Sequence, residues 1–571
     1  MQSSWCTMKA LLRTVMTRRF VVGYVYTFLR SHCRVRANHV LLESHHGKDF
    51  GGNPYYLAAW LASDPQYRHL RLIMVGPPHR KQWLRQRLCA PNITVVKPRS
   101  IRYAFHLATS KWLISDVTFP LYFSRRSEQK YLNTWHGTPL KVLGRDIPGG
   151  TIDQLQNSQR NFLHATWILA PNHHTEKVLL EAYCLRGFCE GRMLRLGYPR
   201  NDPLRRSLSR EDLSTEAHIA FMPTWRGGLS SRKSDSQQQL TELADLLDHL
   251  DRLLPSSVIL WVKLHPLVSG RITLDHCRLI KPFPQDVETY EHLATCDALI
   301  TDYSSVLFDF AATRRPIFRY IPDEDYYEAE RGFCLDPSML PFPCARTPVA
   351  LVALVQELLD RMVVTPDEQY TRFLKTFNSL DRGTSAQDVC RAFFTEDMPD
   401  GVCGLQAAKT TRHVALYFGS QALVLSPDAY MPLLARLDTS RYSFVLLVEA
   451  DAVTQEWEAF LRGLDSAFLY LTIQLHAYIA PLEFLGLAWE RAVHRRDDDR
   501  GGTWCEVGIR EYRRLFGDTD LDILISLDGE STGSRLLDNG HTWYSSVRLS
   551  PRDVVNKKPE DLECLQEYCW R

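Results

Sequence analysis

Apolar runs of strand length alternate with helix-like patterns along almost all of this chain, and that rhythm limits it to one class of fold. The first series of runs is HVLLES (39–44), LRLIMVG (70–76), ITVVKP (93–98), WLISDV (112–117), YLNTWHG (131–137), WILAP (167–171) and MLRLGYP (193–199). Helical patterns lie between several of them, at 54–63, 80–88, 152–164 and 173–184. Parallel neighbours need a crossover and a helix usually supplies it, so the alternation predicts an α/β architecture with helices on both faces of parallel sheets. After a polar stretch, RRSLSREDLSTEA (205–217), the rhythm resumes with HIAFMPTW (218–225), VILWVKLHP (258–266), CRLIKPF (277–283), DALITDY (297–303) and PIFRYIP (316–322). Two doubly wound lobes in tandem enclose a cleft, and such folds bind ligands outside the carboxyl ends of their strands.

The residues with chemistry fall at those ends. The run 298–301 stops at Asp302-Tyr303-Ser304-Ser305, an acid and two hydroxyls that suit a helix start. Free N–H groups and the positive end of the dipole would make it an anion site, and an ordinary capped helix is the alternative. Asp309, further along, reads as a solvated or capping side chain. In the first series Trp135-His136-Gly137-Thr138-Pro139 follows a strand, and Gly and Pro force a turn that holds the His136 imidazole at the sheet edge. Thr224-Trp225-Arg226 and Lys263-Leu264-His265-Pro266 follow strands of the second series. Two cations and an imidazole on one rim with Ser304 and Ser305 suit a diphosphate, whose leaving group needs its charge neutralised.

Composition excludes several classes. A net charge of +2 without a long Lys/Arg tract argues against nucleic acid as a partner. The 14 cysteines form no CxxC pair and have no metal-ligand spacing with histidine, so they read as reduced thiols of a cytosolic protein. His45-His46 also lacks a partner at ligand spacing, and no metal is expected. No apolar run reaches the roughly 18 to 20 residues that cross a bilayer, and no cleavage site follows the run at 20–29, which excludes a secretory signal. Residues 9–36 interleave Lys9, Arg13, Arg18, Arg19, Arg30, Arg34 and Arg36 with apolar side chains, a pattern that suits the headgroup layer of an anionic membrane.

Taken together, WHGTPLK (135–141), APNHHTEKVLLEAY (170–183), LGYPRND (196–202), PTWRG (223–227), KLHPL (263–267) and LITDYSSVLFD (299–309) carry a resemblance. RRPIFRY (314–320), ERGFCLD (330–336) and the opening ESHHGKDFGGNPYYL (43–57) extend it. From about residue 39 to 395 the chain resembles the CDP-glycerol:poly(glycerophosphate) glycerophosphotransferase family, which polymerises teichoic-acid backbones. The resemblance implies a GT-B-like pair of lobes, with CDP-glycerol as donor substrate and no required cofactor. It implies a lipid-linked glycerol or polyol phosphate acceptor and a peripheral place on the cytoplasmic side of the membrane. His136 would be the general base on the acceptor hydroxyl, and His265 would stabilise the leaving CMP. Arg226, Lys263, Asp302, Ser304 and Ser305 would bind the donor. Arg331 would reach its ribose or a phosphate, or else form a structural ion pair near Glu330 and Asp336. Glu43, Gly137 and Thr138 would lie on the acceptor side, with His45 and His46 beside Glu43.

The expected divisions are a membrane-contacting segment (1–38), an acceptor-side lobe (39–205), a linker (206–217), a CDP-glycerol-binding lobe (218–395), a second linker (396–409) and a further α/β module (410–571). That module has strand-like runs at 413–419, 442–450, 468–475 and 521–529 and helical patterns at 427–436, 454–463, 481–493 and 508–515. It resembles the first half of another GT-B glycosyltransferase without the nucleotide-binding half. It is therefore expected to lack sugar-transferase activity and to bind or dock an acceptor, unless it only packs against the rest. A nucleotide-sugar glycosyltransferase and a non-catalytic polymer scaffold are the alternatives for the whole chain. Glycerol versus ribitol, primase versus polymerase, and oligomeric state are open at this point.

Overall fold

The computed structural model describes residues 18–90, 93–209, 216–224, 233–264, 271–322, 332–361, 366–395, 402, 412–465, 467–475, 503–529, 531–541, 543 and 545–551. Three parallel sheets succeed one another. The first contains β1 (Arg36–Glu43), β2 (Arg71–Val75), β3 (Ile93–Val96), β4 (Ser110–Ser115), β5 (Lys130–Asn133), β6 (Trp167–Leu169) and β7 (Met193–Leu194). The second contains β8 (Ala217–Met222), β9 (Val258–Val262), β10 (Ile280–Pro282), β11 (Ala298–Thr301), β12 (Ile317–Tyr320) and β13 (Cys344–Ala345). The third contains β14 (Arg412–Phe418), β15 (Tyr442–Glu449), β16 (Phe468–Ile473), β17 (Ile523–Ser526) and β18 (Ser545–Arg548).

The strand orders are β3-β2-β1-β4-β5-β6-β7, β10-β9-β8-β11-β12-β13 and β16-β15-β14-β17-β18, so each sheet winds outward in both directions from its first strand. The crevice for a ligand in such a sheet opens where the winding reverses, between β1 and β4, β8 and β11, and β14 and β17. All three crevices share one device. An aspartate just past the fourth strand reaches back to the loop after the first. Asp116 accepts from the His45 N–H at 2.9 Å and the Ser44 hydroxyl at 2.7 Å. Asp302 accepts from the Thr224 N–H at 2.9 Å and its hydroxyl at 2.6 Å. Asp528 accepts from the Gln421 and Ala422 N–H groups at 2.7 and 2.8 Å. All three aspartates are buried, and each satisfies donors that the strand end leaves without a ladder partner. The second and third sheets also share a clasp at the strand entry. There Asp297 accepts from the His218 N–H and Asp522 from the His413 N–H, both at 2.8 Å.

Two elements depart from the expected divisions. The helix Ser385–Thr395, assigned by sequence to the second lobe, packs on the first. Its Val389, Cys390 and Phe393 share one core with Leu57, Ala58 and Leu61, and Asp202 accepts from the Ser385 and Ala386 N–H groups at 2.8 and 2.9 Å. The basic amphipathic segment is a helix, Arg18–His32, within the described residues, but part of its apolar side belongs to the protein core. Val22 and Tyr26 are buried, and the Tyr26 hydroxyl donates to the Ser124 carbonyl at 3.0 Å. Val21 and Phe28 stay exposed, at 44% and 60%. Among the described residues no helix is long and apolar enough to cross a membrane.

The third sheet is continuous with the first lobe. A single hydrophobic core runs from Tyr103, Tyr131 and Phe162 into Tyr417, Trp457 and Tyr470. Buried polar bonds cross the same seam: the Gln159 side-chain amide donates to the Tyr470 carbonyl at 2.9 Å, and His164 Nε2 lies 2.9 Å from the Arg514 carbonyl. Burial drives the His164 pKa well below its ordinary value, so the ring sits in the seam as a neutral hydrogen-bond donor.

Candidate active site

The cleft between the first two lobes is closed around the turn 134–138. Trp135 has φ +49° and Gly137 φ +148°, a pair of left-handed conformations that turns the chain sharply after β5. Asn133 Oδ1 accepts from the Trp135 N–H at 3.0 Å, and the Asn53 side-chain amide donates to the Thr134 and Trp135 carbonyls at 3.3 and 3.2 Å. The turn is thereby fixed from below, and it presents His136 to the cleft. That ring is exposed on one side and lies 4.2 Å, centroid to centroid, from the buried Trp135 indole.

The protonation pattern of His136 follows from its partner. Nδ1 lies 2.9 Å from the Asp116 carbonyl oxygen, which can only accept, so the neutral ring carries its proton at Nδ1 and leaves Nε2 free as a base. The surrounding protein lowers the His136 pKa by desolvation, and the Asp116 carboxylate opposes the shift. His45 stands beside the same carboxylate, with Nε2 3.8 Å from Asp116 Oδ2. Both His45 and His46 take left-handed φ, +49° and +56°, which costs about 1 kcal/mol or more each and concentrates backbone strain at this crevice. Asp116 carried no signal in the sequence, since its partners are 71 and 72 residues away.

From the second lobe, the loop after β11 meets this turn. A Cβ on Gly137 would lie 2.8 Å from Ser305 Oγ and 3.2 Å from an Arg200 guanidinium nitrogen, so a side chain there must displace one of them as well as bear an unfavourable φ. Ser304 and Ser305 are half-buried and precede the helix Val306–Ala311, which is only six residues long. Asp302 does not cap this helix; it ties the loop to Thr224 at the crevice of the second sheet. Lys263 follows β9, half-buried, with Nζ 5.6 Å from the Phe283 ring centroid. Burial lowers its pKa, against the nearby charges of Glu288 and Asp49. Arg226, His265, Glu330 and Arg331 lie outside the described residues.

Three sequence expectations change. Asp309 is neither solvated nor a cap: it is buried and paired with Arg200 at 2.6 Å, and it accepts from the Tyr290 hydroxyl at 3.0 Å. Glu43 does not line an open acceptor surface. It is buried, accepts from the Tyr103 hydroxyl at 2.6 Å, and burial pushes its pKa up to about 7. Thr138 is also buried, and its hydroxyl accepts from the Asn172 amide at 3.0 Å, where it braces the turn.

Glu288 is a further contact between lobes that the sequence did not reveal. This buried carboxylate accepts from the Tyr56 hydroxyl, from the Gly52 N–H at 3.3 Å and from the Tyr290 N–H at 2.6 Å. Burial raises its pKa. Among the described residues, one group brings three possible metal ligands together, Asp248, His276 and Cys277, at the surface of the second lobe. His276 and Asp248 already bond to each other at 2.8 Å, and burial raises the Cys277 pKa, which keeps the thiol protonated.

Comparison with known proteins agrees with this architecture. Residues 25–395 match the family described as CDP-Glycerol:Poly(glycerophosphate) glycerophosphotransferase, and the match stops short of the third sheet. The chain is 30% identical over 385 residues to a teichoic acid glycerol-phosphate transferase of Staphylococcus aureus, covering 62% of this chain and 93% of that one. It is 28% identical over 373 residues to a teichoic acid poly(glycerol phosphate) polymerase of Bacillus spizizenii, covering 61% and 90%. A polymerase of the same description from Staphylococcus epidermidis is 28% identical, and only 54% of its length is covered. The solved structure of the wall teichoic acid polymerase TagF superposes with a TM-score of 0.55 at 24% identity, over 69% of this chain and 98% of that one, a likeness of fold. With its two facing lobes and with the match spanning both, the chain belongs to the CDP-glycerol:poly(glycerophosphate) glycerophosphotransferase family.

Proposed function

We propose that this chain transfers glycerol phosphate, or a related polyol phosphate, from CDP-glycerol to a hydroxyl of a lipid-linked acceptor and releases CMP. The observation that carries the reading is the contact of Gly137 with Ser305, which sets the imidazole-bearing turn of one lobe against the hydroxyl-bearing loop of the other. The acceptor oxygen forms a bond to the β-phosphorus, its proton passes to Nε2 of His136, and the bond from that phosphorus to the bridging oxygen breaks. CMP leaves with the bridging oxygen. Lys263, Ser304 and Ser305, with Arg226, His265 and Arg331, neutralise and orient the diphosphate, so catalysis is mainly positioning and charge stabilisation. Asp302 acts indirectly, by holding the Thr224 loop. Glu43 and Thr138 support the acceptor side from within the core.

The exposed Val21 and Phe28 of the first helix, with the exposed Arg34 just past its end, suit a peripheral contact with an anionic membrane surface at its cytoplasmic side. The third sheet serves as a docking module without transferase chemistry. The family match ends at residue 395, before the first strand of this sheet begins at Arg412.

The test is incubation of the purified chain with CDP-glycerol and a lipid-linked acceptor, following CMP release and product length. Acceptor-dependent CMP release with extended product is expected, together with its loss in His136→Ala. Turnover of a nucleotide sugar with none of CDP-glycerol would overturn the reading.

A further inference from the structure

We infer that Arg200 is a positioning residue that binds the His136 turn of the first lobe to Asp309 of the second, so that the base reaches its working place only in the closed pair of lobes. This inference rests on the reading of His136 as the general base.

Arg200 follows β7 in a short helical turn and is 4% exposed. Its Nη1 donates to the His136 carbonyl at 2.9 Å, and its Nη2 donates to Asp309 Oδ2 at 2.6 Å. The guanidinium lies 5.1 Å from the Tyr198 ring centroid of its own lobe and 5.0 Å from that of Tyr290 in the other. Tyr290 also donates its hydroxyl to Asp309, so the carboxylate is held from two sides. The Arg200 backbone N–H donates to Asn53 Oδ1 at 3.2 Å, and the same Asn53 amide bonds the Thr134 and Trp135 carbonyls. Side chain and backbone thus both converge on the turn at 134–137.

A planar fork with two outer nitrogens can serve a carbonyl and a carboxylate together; an ammonium at the end of a flexible stem cannot hold the same two directions. Burial works against the Arg200 charge, but Asp309, Tyr290 and Tyr198 together more than offset it and raise the pKa above its ordinary value, so the cation is permanent. The charged and titratable groups that face His136 are Asp116, which favours its protonation, and Arg200 and His45, which oppose it. Asp309 acts on it through Arg200. Removing the Arg200 charge therefore raises the His136 pKa, and removing the Asp309 charge lowers it.

The experiment is steady-state kinetics of the full chain with CDP-glycerol and a lipid-linked acceptor across pH, for Arg200→Lys, Arg200→Gln, Asp309→Asn and His136→Ala. Arg200→Lys should lower kcat by about 10- to 100-fold with little change in the CDP-glycerol KM, since the base is displaced while the donor site is intact. Arg200→Gln should also move the acid limb of kcat/KM to higher pH. Asp309→Asn, which preserves shape and keeps one acceptor oxygen for Arg200 and Tyr290, should move it to lower pH. Wild-type kcat in Arg200→Lys, or an acid limb unmoved in both charge-neutralising variants, overturns the inference; if Arg200→Gln does not fold, the Asp309→Asn limb alone decides. An active His136→Ala overturns the base reading itself, whereas an inactive one beside unaffected Arg200 variants sinks only the positioning role.

Discussion

Gly137→Ala adds a single methyl group at the point where the lobes touch. The new carbon would sit 2.8 Å from Ser305 Oγ, 3.2 Å from an Arg200 nitrogen and 3.3 Å from Ser305 Cβ, at a φ of +148°. An unfavourable backbone region costs about 1 to 3 kcal/mol, and overpacking a close contact about 1 to 3 more. Relief comes by opening the cleft or by twisting the turn, and either displaces His136 from Ser305. About 2 to 4 kcal/mol expressed at the transition state is a loss of roughly 30- to 1,000-fold in kcat/KM. The assay is CMP release with CDP-glycerol and a lipid-linked acceptor. Gly463→Ala is the control, because its added methyl group would meet nothing within 4 Å. Adding Ser305→Ala to Gly137→Ala removes the nearest clash and should make the two changes less than additive. Activity of Gly137→Ala within threefold of wild type would refute the contact on which the site is built.

Four further outcomes follow from the same geometry. Because its surroundings lower the His136 pKa below 6.5 and the base must be neutral, the midpoint of the acid limb of kcat/KM should lie below pH 6.5; a midpoint at or above that value contradicts the assignment. Tyr56→Phe withdraws a hydroxyl from the buried Glu288 and should lower kcat/KM about 10-fold, at roughly 1 to 3 kcal/mol for an under-bonded buried carboxylate; unchanged kinetics would show that this contact is not part of the working state. Asp528→Ala strands the Gln421 and Ala422 N–H groups and should lower the melting temperature of the protein while leaving kcat for CDP-glycerol within about threefold, since the third crevice takes no part in transfer; a large kcat loss in folded protein would contradict that. Phe28→Ser should weaken sedimentation with anionic phospholipid vesicles by about 10- to 100-fold, from the roughly 1.5 to 3 kcal/mol of burying a phenyl ring; equal binding would remove the membrane role of that helix.

The strands were readable because a two-sided parallel strand is a nearly continuous apolar run, as at 413–418 and 442–449. Runs that end in a turn were overestimated: β5 stops at Asn133 because Trp135 and Gly137 leave the extended region, and β7 is only two residues long. The short helix Ile101–Thr109 was missed. His136 and Ser305 were legible as chemistry at strand ends, and Gly137 as a turn former. The partnerships of Asp116, Arg200, Glu288 and Asp309 were not. Arg200 meets Asp309 across 109 residues and Glu288 meets Tyr56 across 232, and local periodicity carries no information about which buried charges will face each other. Asp309 stands at a helix position whose polarity suggests solvent, but Arg200 of the neighbouring lobe and Tyr290 of its own hold it inside. The helix Ser385–Thr395 likewise looks like any amphipathic segment until its apolar side finds Leu57 and Leu61.

The shared core of the first and third sheets decides which part of the molecule has freedom to travel. Two of the three sheets make a single heavy block, and the helix at 18–32 is riveted to it through Tyr26 and Arg30. Any parting of the two lobes would therefore move the middle sheet alone against that block, with the chain crossing back to the first lobe at 378–385. On the proposed reading, the helix at 18–32 and the acceptor side would keep one fixed spacing whatever the middle sheet does.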